Sequence, residues 1–229
     1  MKISIAIPCW HMNGIGREVL EYGFLSFYEQ TLKDFEVIVS DHSIDNDIKG
    51  LCKEWDSKLN IKYIKNEENR GNPAYNFNVS MAHCSGEYIK VLCQDDFLLG
   101  RDALLYIYSK IKENDSTWLL GSYWHSNDRV GLYRLHTPHF NNNIATSNTY
   151  GTPSAMTIKN KNVIEFDTSL KSLFDCEYYY RMHKLYGPPI ILEEATMVNY
   201  LHGNQVTNLM INDDVLRKEE SYVREKHGI

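Results

Sequence analysis

The amino-acid sequence predicts an α/β protein with a mostly parallel central sheet and helices on its faces. Strand-like apolar runs alternate with helical patterns through the first 99 residues, which is typical of a doubly wound sheet. Two acidic residues, Asp41 and Asp95, stand where two of these runs end. The 229 residues suffice for one sizeable domain and no linker divides them, so we predict a single domain over 1–229.

In the first half, four apolar runs are predicted to be strands and the three segments between them helices. Asn72 before Pro73 is typical of an N-cap and first helical residue, and Ser85-Gly86 ends that helix. The ligand crevice of such sheets lies beyond the carboxyl ends of the strands, where Asp41 and Asp95 are expected to meet. The predicted strands are 2–8, 35–40, 61–65 and 87–93; the first helix is 17–30, and the second has one apolar face at Ile48, Leu51, Cys52 and Trp55.

In the second half the patterns are weaker. Residues 136–153 are polar and rich in Asn, Thr and Gly, which predicts a long loop. A loop of this length inside a compact domain is usually a lid, a binding loop or disordered. The other predicted elements are a helix around 104–111, strands at 117–124, 129–135, 189–194 and 196–201, a helix over 175–186 that Gly187 and Pro188 end, and a charged helix over 213–227.

Charge and cysteine content argue against several classes of function. A formal net charge of -6 and a pI near 5.8, with no long Lys/Arg run, argue against a nucleic-acid binder. Five cysteines without a C-x-x-C pair indicate neither a disulfide framework nor a structural zinc site. The apolar start of the chain is too short for a membrane span and lacks a cleavage pattern, which predicts a cytoplasmic protein. The mixed charges of 213–227 favour a solvated helix, and contact with the inner face of a membrane is an open alternative.

The stretch "VLCQDDFLL", residues 91–99, carries the strongest local signal, because Asp95 and Asp96 interrupt a buried strand pattern. Burying an unpaired carboxylate costs several kcal/mol, so folding alone does not account for the pair. Carboxylates at a strand end can bind Mg²⁺ or Mn²⁺, which in turn holds a diphosphate. The alternative is that both residues cap the turn that follows.

The order of several motifs resembles the family 2 glycosyltransferases with the GT-A fold. The motifs are "ISIAIPCW", "FEVIVSDHSIDND", "NRGNPAYNFNVSMAHCSGEYIKVLCQDDFLL", "FDTSLKSLFDCEYYYRM" and "YLHGNQVTN", which together extend to about residue 210. The resemblance implies the nucleotide-diphospho-sugar transferase (GT-A) fold and an inverting sugar transfer from a nucleotide sugar with Mn²⁺ or Mg²⁺. It also implies a nucleotide-sugar-binding half over 1–99, an acceptor-binding and catalytic half over 100–212, and a C-terminal helix over 213–229.

The resemblance implies five donor contacts in the first half. Pro8 matches the end of the first strand, where the backbone meets the nucleotide base. Asp41 matches the carboxylate that hydrogen-bonds the base, and a cap of the following turn is the alternative for it. Arg70 and Gly71, with Asn78, match the loop and helix that pass the nucleotide. For Asn78 a structural hydrogen bond is the alternative.

The metal motif departs from the usual Asp-x-Asp pattern, because this chain has Cys93-Gln94-Asp95. By the resemblance, Asp95 matches the metal-binding second acid and Asp96 the acid that follows, both on the donor side. Hard cations prefer oxygen, so Cys93 is not expected to be a ligand. His202, in a late segment similar to the family's His-x-x-Gln, is a second candidate ligand, with a structural hydrogen bond as the alternative.

The predicted catalytic base is Asp175. Inverting transfer requires a carboxylate that takes the proton of the attacking acceptor hydroxyl. Asp175 precedes Arg181 by six residues, which is the family's spacing for that base; the alternative is an interaction with the dipole of its own helix. Glu177 is the second candidate and a predicted acceptor contact. The loop 136–153 and Ser154 are expected to form part of the acceptor wall.

The predicted function is therefore transfer of a sugar from a UDP- or dTDP-type donor to a glycan or lipid-linked glycan, as in bacterial surface polysaccharide synthesis. Two other readings stay open. A sugar-1-phosphate nucleotidyltransferase shares a similar sheet, but "PCWHMNGIGRE" supplies little of the Gly-rich basic loop it needs. A non-catalytic sugar- or partner-binding domain of the same fold would explain the loss of the first acid at Cys93.

Overall fold

The structure is a computed structural model that describes residues 1–205, 208–209 and 211–229. Strands and helices alternate through the first half, as the sequence predicts. In chain order the elements are β1 (Ile3–Cys9), α1 (Gly16–Tyr28), β2 (Phe35–Asp41), α2 (Asp47–Trp55), β3 (Ile61–Lys65), α3 (Pro73–Ala82), β4 (Tyr88–Val91), β5 (Phe97–Leu98), α4 (Ala103–Glu113), β6 (Trp118–Ser126), β7 (Tyr133–His136), β8 (Met156–Lys159), α5 (Phe174–Tyr186), β9 (Ile190–Tyr200) and α6 (Asp213–His227).

The nine strands of the described residues belong to one sheet with the order β3-β2-β1-β4-β8-β6-β9-β5, and β7 pairs with β6 outside this path. The pairs β1–β2, β2–β3 and β1–β4 are parallel. Cys9 lies opposite Asp41 in the β1–β2 register, so the carboxyl ends of these strands meet at one edge. The predicted α/β class with flanking helices is confirmed, and the doubly wound pattern describes the first half.

The second half of the sheet is mixed. Strand β8 runs antiparallel to β4 and β6, whereas β9 runs parallel to β6. The sequence analysis did not anticipate β8 or the two-residue β5, because both are short and directly follow turns. The two strands predicted at 189–194 and 196–201 form the single strand β9, whose register against β6 shifts after Gly121 and again after Ser122.

Helix α3 begins as the sequence predicts. The side chain of Asn72 accepts a hydrogen bond from the Tyr75 N–H at 3.0 Å, and Pro73 occupies the first helical position, where its missing N–H costs nothing. Apolar residues Ala74, Phe77 and Met81 face the core. The helix packs on β1 and β2 and holds its N-terminal end near the carboxyl edge of the sheet.

Helix α6 is fastened to the start of α5. The carboxylate of Glu219 accepts backbone N–H bonds from Lys171, Ser172 and Leu173 at 2.7, 2.9 and 2.8 Å. These donors immediately precede α5, whose N-cap residue, Leu173, makes no side-chain cap bond. Glu219 thus supplies the capping group from another helix. The prediction of a helix over 213–227 is confirmed, and this helix buries Glu219 and Val223.

Residues between β7 and the short 3-10 turn Pro153–Ala155 form neither helix nor strand, so the predicted long loop is confirmed. In the described part of the chain, no helix has the length and apolarity to cross a bilayer.

Candidate active site

A cavity of about 1270 Å³ opens at the carboxyl ends of β1 and β4, where a sheet of this kind is expected to bind its ligand. It brings together residues from both halves of the chain. Six predicted site residues line it: Pro8, Arg70, Gly71, Asp95, Asp175 and His202. The side chains of five others are engaged elsewhere: Asp41, Asn78, Asp96, Ser154 and Glu177.

Asp95 lies in the turn after β4 and is almost fully buried. Its Oδ2 contacts Nε2 of His202 at 2.9 Å and accepts a hydrogen bond from Nε2 of Gln205 at 3.4 Å. Nδ1 of His202 accepts the N–H of Asn204 at 3.2 Å, which assigns the imidazole proton to Nε2. His202 is therefore a neutral donor to Asp95 in this structure. Both bonds reach Oδ2, which leaves Oδ1 for another partner.

Asp96 points away from the cavity and is fully buried. Its Oδ1 accepts bonds from the Asn199 side chain at 2.8 Å and the Tyr200 N–H at 3.1 Å, whereas Oδ2 has no hydrogen-bond partner among the described residues. Burial and the neighbouring charge of Asp95 raise the pKa of Asp96. Lys90 of β4 is also fully buried, and burial lowers the pKa of its ammonium group to about 7. The Lys90 ammonium donates to the carbonyl of Ser154, and the nearby Asp96 charge partly opposes the lowering of its pKa.

Cys93 lies at the position of the absent first acid and lines the cavity. Its N–H donates to Oγ of Ser154 at 2.8 Å, and its Sγ lies 3.8 Å from Oγ1 of Thr152. Burial raises the pKa of the Cys93 thiol well above its ordinary value, so the sulfur is a poor partner for a hard cation.

Asp95 offers a carboxylate oxygen that fits a divalent cation in the cavity. Ligand atoms of Cys93, Asp95 and Asp96 lie within 4.8 Å of one another, but the Cys93 thiol is a poor ligand for a hard cation and the Asp96 carboxyl points away from the cavity. Oxygen ligands of this kind suit Mg²⁺ and Mn²⁺. Asp95 is the member of this group that combines a carboxylate with a place in the cavity wall.

Asp175 lies in the first turn of α5 and lines the cavity. Its Oδ2 accepts a bond from Nδ2 of Asn148 at 2.7 Å, and its Oδ1 accepts the N–H of Cys176 at 2.7 Å. Burial raises the pKa of Asp175 to about 6. A carboxylate with this pKa is mostly ionised at neutral pH and still accepts a proton readily, which is what a general base requires.

One end of the cavity, next to β1, is formed by three predicted donor contacts, Pro8, Arg70 and Gly71, with His42 beside them. Asp41 lies beneath this wall. Its Oδ2 accepts bonds from Tyr63 at 2.7 Å and Lys65 at 3.3 Å, and its Oδ1 accepts the Ser43 N–H at 2.8 Å. These bonds fit the capping alternative for Asp41, and its contact with a base stays a prediction.

Two other predicted residues, Asn78 and Ser154, have structural partners. The amide of Asn78 donates to the carbonyl of Phe166 and accepts its N–H, at 2.9 and 2.7 Å. Ser154 is fully buried with its hydroxyl bonded to the N–H of Cys93, so its neighbours Thr152 and Pro153 line the cavity in its place.

Glu177 is fully buried and pairs with Arg181, Lys226 and His227 at 2.7, 2.8 and 3.0 Å. Burial opposes its ionisation, but these cations outweigh it and hold the pKa of Glu177 below its usual value. The carboxylate joins α5 to α6 and does not line the cavity.

The part of the cavity wall that comes from the second half of the chain also contains four residues that were not predicted from the sequence: Tyr123, His125, Arg134 and His136. They come from β6 and β7, which pair antiparallel. The available signal was the repeated spacing of two, Tyr-x-His at 123–125 and Arg-x-His at 134–136, which places each pair on one face of a strand.

The chain matches one protein family and is similar to several known proteins. The family described as glycosyl transferase family 2 matches residues 4–180. A poly(ribitol-phosphate) beta-glucosyltransferase of Bacillus spizizenii is 35% identical over 124 residues, which are 53% of this chain and 19% of that protein. The match therefore spans about a fifth of that relative's length.

Two solved structures have the same fold. The structure of S. aureus TarS residues 1–349 in complex with UDP-GlcNAc has a TM-score of 0.73 at 20% identity, covering 99% of this chain and 66% of that chain. A mannosyltransferase from Pyrobaculum calidifontis, in complex with GDP-Man and Mn²⁺, has a TM-score of 0.64 at 15% identity and covers 97% of this chain and 70% of that one.

Proposed function

The chain belongs to glycosyl transferase family 2, and on this premise we propose that it moves a sugar, with inversion, from a UDP- or dTDP-sugar to a hydroxyl of a glycan or lipid-linked glycan. One observation carries the proposal. Asp95 at the end of the donor half and Asp175 on α5 line the same cavity, although they are separated by 80 positions in sequence. Asp175 also has the raised pKa that a general base needs.

In the proposed reaction, the acceptor oxygen attacks the anomeric carbon on the face opposite the nucleoside diphosphate. The new carbon–oxygen bond forms as the bond to the diphosphate oxygen breaks, and the acceptor proton passes to a carboxylate oxygen of Asp175. Asn148 holds Oδ2 of Asp175 through a 2.7 Å bond, which fixes the direction in which the carboxylate presents its lone pairs. The protonated base returns its proton to water after the product leaves.

The donor occupies the end of the cavity nearest β1 and β2. Pro8 and Gly71 form the walls against the base, and Arg70 offers a cation that pairs with Glu67 at 3.1 Å in the free protein. Asp41 lies beneath this wall, and its four lone-pair sites already accept three donors, from Ser43, Tyr63 and Lys65, so one site is left for a base N–H. Asn78 holds the end of the loop before α5 through Phe166.

Asp95 is the proposed ligand for Mn²⁺ or Mg²⁺, and His202 is the hydrogen-bond partner of its carboxylate. The chemistry supplied there by such a cation is stabilisation of the negative charge on the leaving diphosphate. The residues of the chain orient that site: His202 and Gln205 fix the Asp95 carboxylate, and Ser154 fixes the turn through the N–H of Cys93.

The proposed setting is bacterial surface polysaccharide synthesis at the cytoplasmic side of the membrane. Support comes from the poly(ribitol-phosphate) glucosyltransferase among its relatives and from the UDP-GlcNAc complex of a protein with the same fold. We assign the donor half to 1–99, the acceptor and catalytic half to 100–212, and a supporting helix to 213–229.

Calorimetry with UDP, dTDP, GDP and CMP, each with Mn²⁺ and with EDTA, tests the donor site. We expect one nucleotide to bind only with metal, and Asp95→Ala to abolish that binding. A sugar transfer assay with the matching donor and Asp175→Asn then tests the chemistry. Binding of none of the nucleotides would favour a non-catalytic domain of the same fold.

A further inference from the structure

Arg134 of β7 contributes a cation to the cavity wall. Among the described residues, it forms no ion pair with Asp or Glu, unlike Arg70, which pairs with Glu67. It lies in the second half of the chain, on the far side of β8 and β6 from the nucleotide end of the sheet. This position in the sheet favours a counterion on the acceptor side of the cavity over the donor diphosphate.

The guanidinium is held in place by a histidine. Nη2 of Arg134 lies 3.0 Å from Nε2 of His125, and Nδ1 of the same ring lies 2.8 Å from the Arg134 carbonyl. The two contacts require a neutral imidazole with its proton on Nδ1, and burial lowers the pKa of His125 accordingly. The His125 ring thus links the guanidinium of Arg134 to the carbonyl of the same residue. This link removes much of the rotamer freedom of the arginine before any ligand binds.

The backbone at this point is unusual. Arg134 has a φ of 46°, in the left-handed region that a non-glycine residue rarely adopts, and the β6–β7 register shifts between Trp124 and His125. Bulges of this kind often re-aim a side chain next to a binding site. Strain that persists at a cavity wall indicates that the side-chain direction matters there.

A continuous wall connects Arg134 to the base. Asn148 bonds both Asp175 and the carbonyl of Gly151, and the N–H of Thr152 donates to the Tyr123 hydroxyl at 3.3 Å. The Tyr123 ring then packs against His136 and His125, with ring centroids 4.9 and 5.3 Å apart. An acceptor that places its hydroxyl at Asp175 would extend along this wall toward Arg134.

We propose that Arg134 binds a phosphate group of the acceptor, so that the enzyme prefers phosphate-bearing acceptors to neutral glycans. This inference rests on the proposed glycosyl transfer. One N–H of the guanidinium is used by His125, and the others form a fork that matches phosphate oxygens. The side chain of His136 also lines the cavity, and its buried Nε2 has no hydrogen-bond partner among the described residues, so it is the second polar group offered to the phosphate. Two contacts from different directions suit a tetrahedral phosphate better than a planar carboxylate.

Two sources of phosphate fit the site: a polyol phosphate chain or the diphosphate of a prenyl-linked sugar. Calorimetry on the UDP-loaded protein with Mn²⁺ separates them with four probes. These are a short ribitol phosphate oligomer, a short-chain prenyl diphosphate carrying one sugar, an alkyl glycoside of that sugar without phosphate, and a glucuronide. The variants are Arg134→Gln and Arg134→Lys, and the matched control is Arg129→Gln, which removes a cation of the same hairpin that pairs with Glu18.

We expect at least one phosphorylated probe to bind, with an affinity about 10-fold or more lower in Arg134→Gln, an intermediate value in Arg134→Lys and no change in Arg129→Gln. The alkyl glycoside should bind wild type and Arg134→Gln equally. The phosphorylated probe that binds identifies the source. No binding of either phosphorylated probe, an equal loss for the alkyl glycoside, or equally tight binding of the glucuronide would overturn the proposal. Failure of UDP itself to bind would instead refute the glycosyl transfer on which it rests.

Discussion

Nε2 of His202 donates a 2.9 Å hydrogen bond to Oδ2 of Asp95, while Nδ1 of the same ring accepts the N–H of Asn204. For His202 to bind a metal through Nε2, its proton would have to move to Nδ1, where it would oppose the Asn204 N–H. The free protein is therefore organised with His202 as an orienting donor to Asp95, and this relationship separates two roles for the imidazole.

A comparison of His202→Gln with His202→Ala distinguishes the two roles. A glutamine amide can still donate to Asp95, so we expect Gln to keep most of the Mn²⁺-dependent UDP affinity and Ala to lose about 10- to 100-fold. Calorimetry with Mn²⁺ and UDP measures both. If Gln proves as damaging as Ala, the imidazole nitrogen is itself a ligand.

Activity should follow the ionisation of Asp175. Because the pKa of Asp175 is raised to about 6, kcat/KM should rise with pH and level off above about pH 7. Asp175→Asn should abolish turnover and leave UDP binding unchanged. Sugar transfer measured from pH 5 to 8 checks the profile, and a rate independent of pH across that range would exclude Asp175 as the base.

Asp175→Asn should also stabilise the fold at neutral pH. The pKa of the carboxyl is higher in the folded chain than in the unfolded chain, so its favourable contribution is complete below about pH 4 and is lost as pH rises through about 6. At pH 7.5 we expect the variant to be more stable by about 1 to 3 kcal/mol in urea unfolding. At pH 3.5 the difference should disappear, and a stability gain that persists there would contradict this origin.

Placing an acid at position 93 should make the stability of the fold depend on bound metal. Cys93→Asp would bring a third carboxylate to within a few ångströms of Asp95 and Asp96. Without metal, we expect a loss of about 2 to 4 kcal/mol from like-charge repulsion and burial. With Mn²⁺, the loss should shrink and the metal affinity should rise. Thermal unfolding with EDTA and with Mn²⁺ measures this, and Cys93→Ser is the neutral control.

Asp41→Asn tests base recognition. The substitution weakens the bonds from Tyr63 and Lys65, so we expect a stability loss of about 1 to 3 kcal/mol. If Asp41 also accepts a base N–H, the UDP affinity should fall about 10-fold. Tyr63→Phe removes one of the same bonds without touching the carboxylate and serves as the control. A stability loss with unchanged UDP affinity would leave Asp41 a purely structural role.

The first half of the fold was readable because each signal is local. The apolar runs of β1 and β2 are buried on both faces, and Asn72-Pro73 starts α3 by its own chemistry. Strand β8 was missed because four residues directly after a turn carry too little pattern. Its pairing with β4 and β6 depends on tertiary contacts.

The site could be predicted from the sequence where the position of a residue along the chain also determines where its side chain lies. Asp95 and Asp175 line the cavity as expected. Sequence spacing could not tell that the Asn78 amide turns to Phe166, or that Glu177 turns to Lys226, because both partners lie far along the chain. The contacts between Arg134 and His125 depend on a β-bulge and on the left-handed backbone of Arg134. Neither feature can be predicted from a strand pattern.

The cap that Glu219 places on the start of α5 has a practical consequence for anyone trimming the chain to a minimal catalytic unit. Removal of α6 would expose the N–H groups of Lys171, Ser172 and Leu173 and strip Glu177 of Lys226 and His227. The helix that carries Asp175 would then begin without the cap from Glu219 and with a buried acid, Glu177, that keeps only Arg181 as a partner. A truncation boundary set by the family motifs alone, near residue 210, would remove the helix that supports the start of α5 and so the position of Asp175.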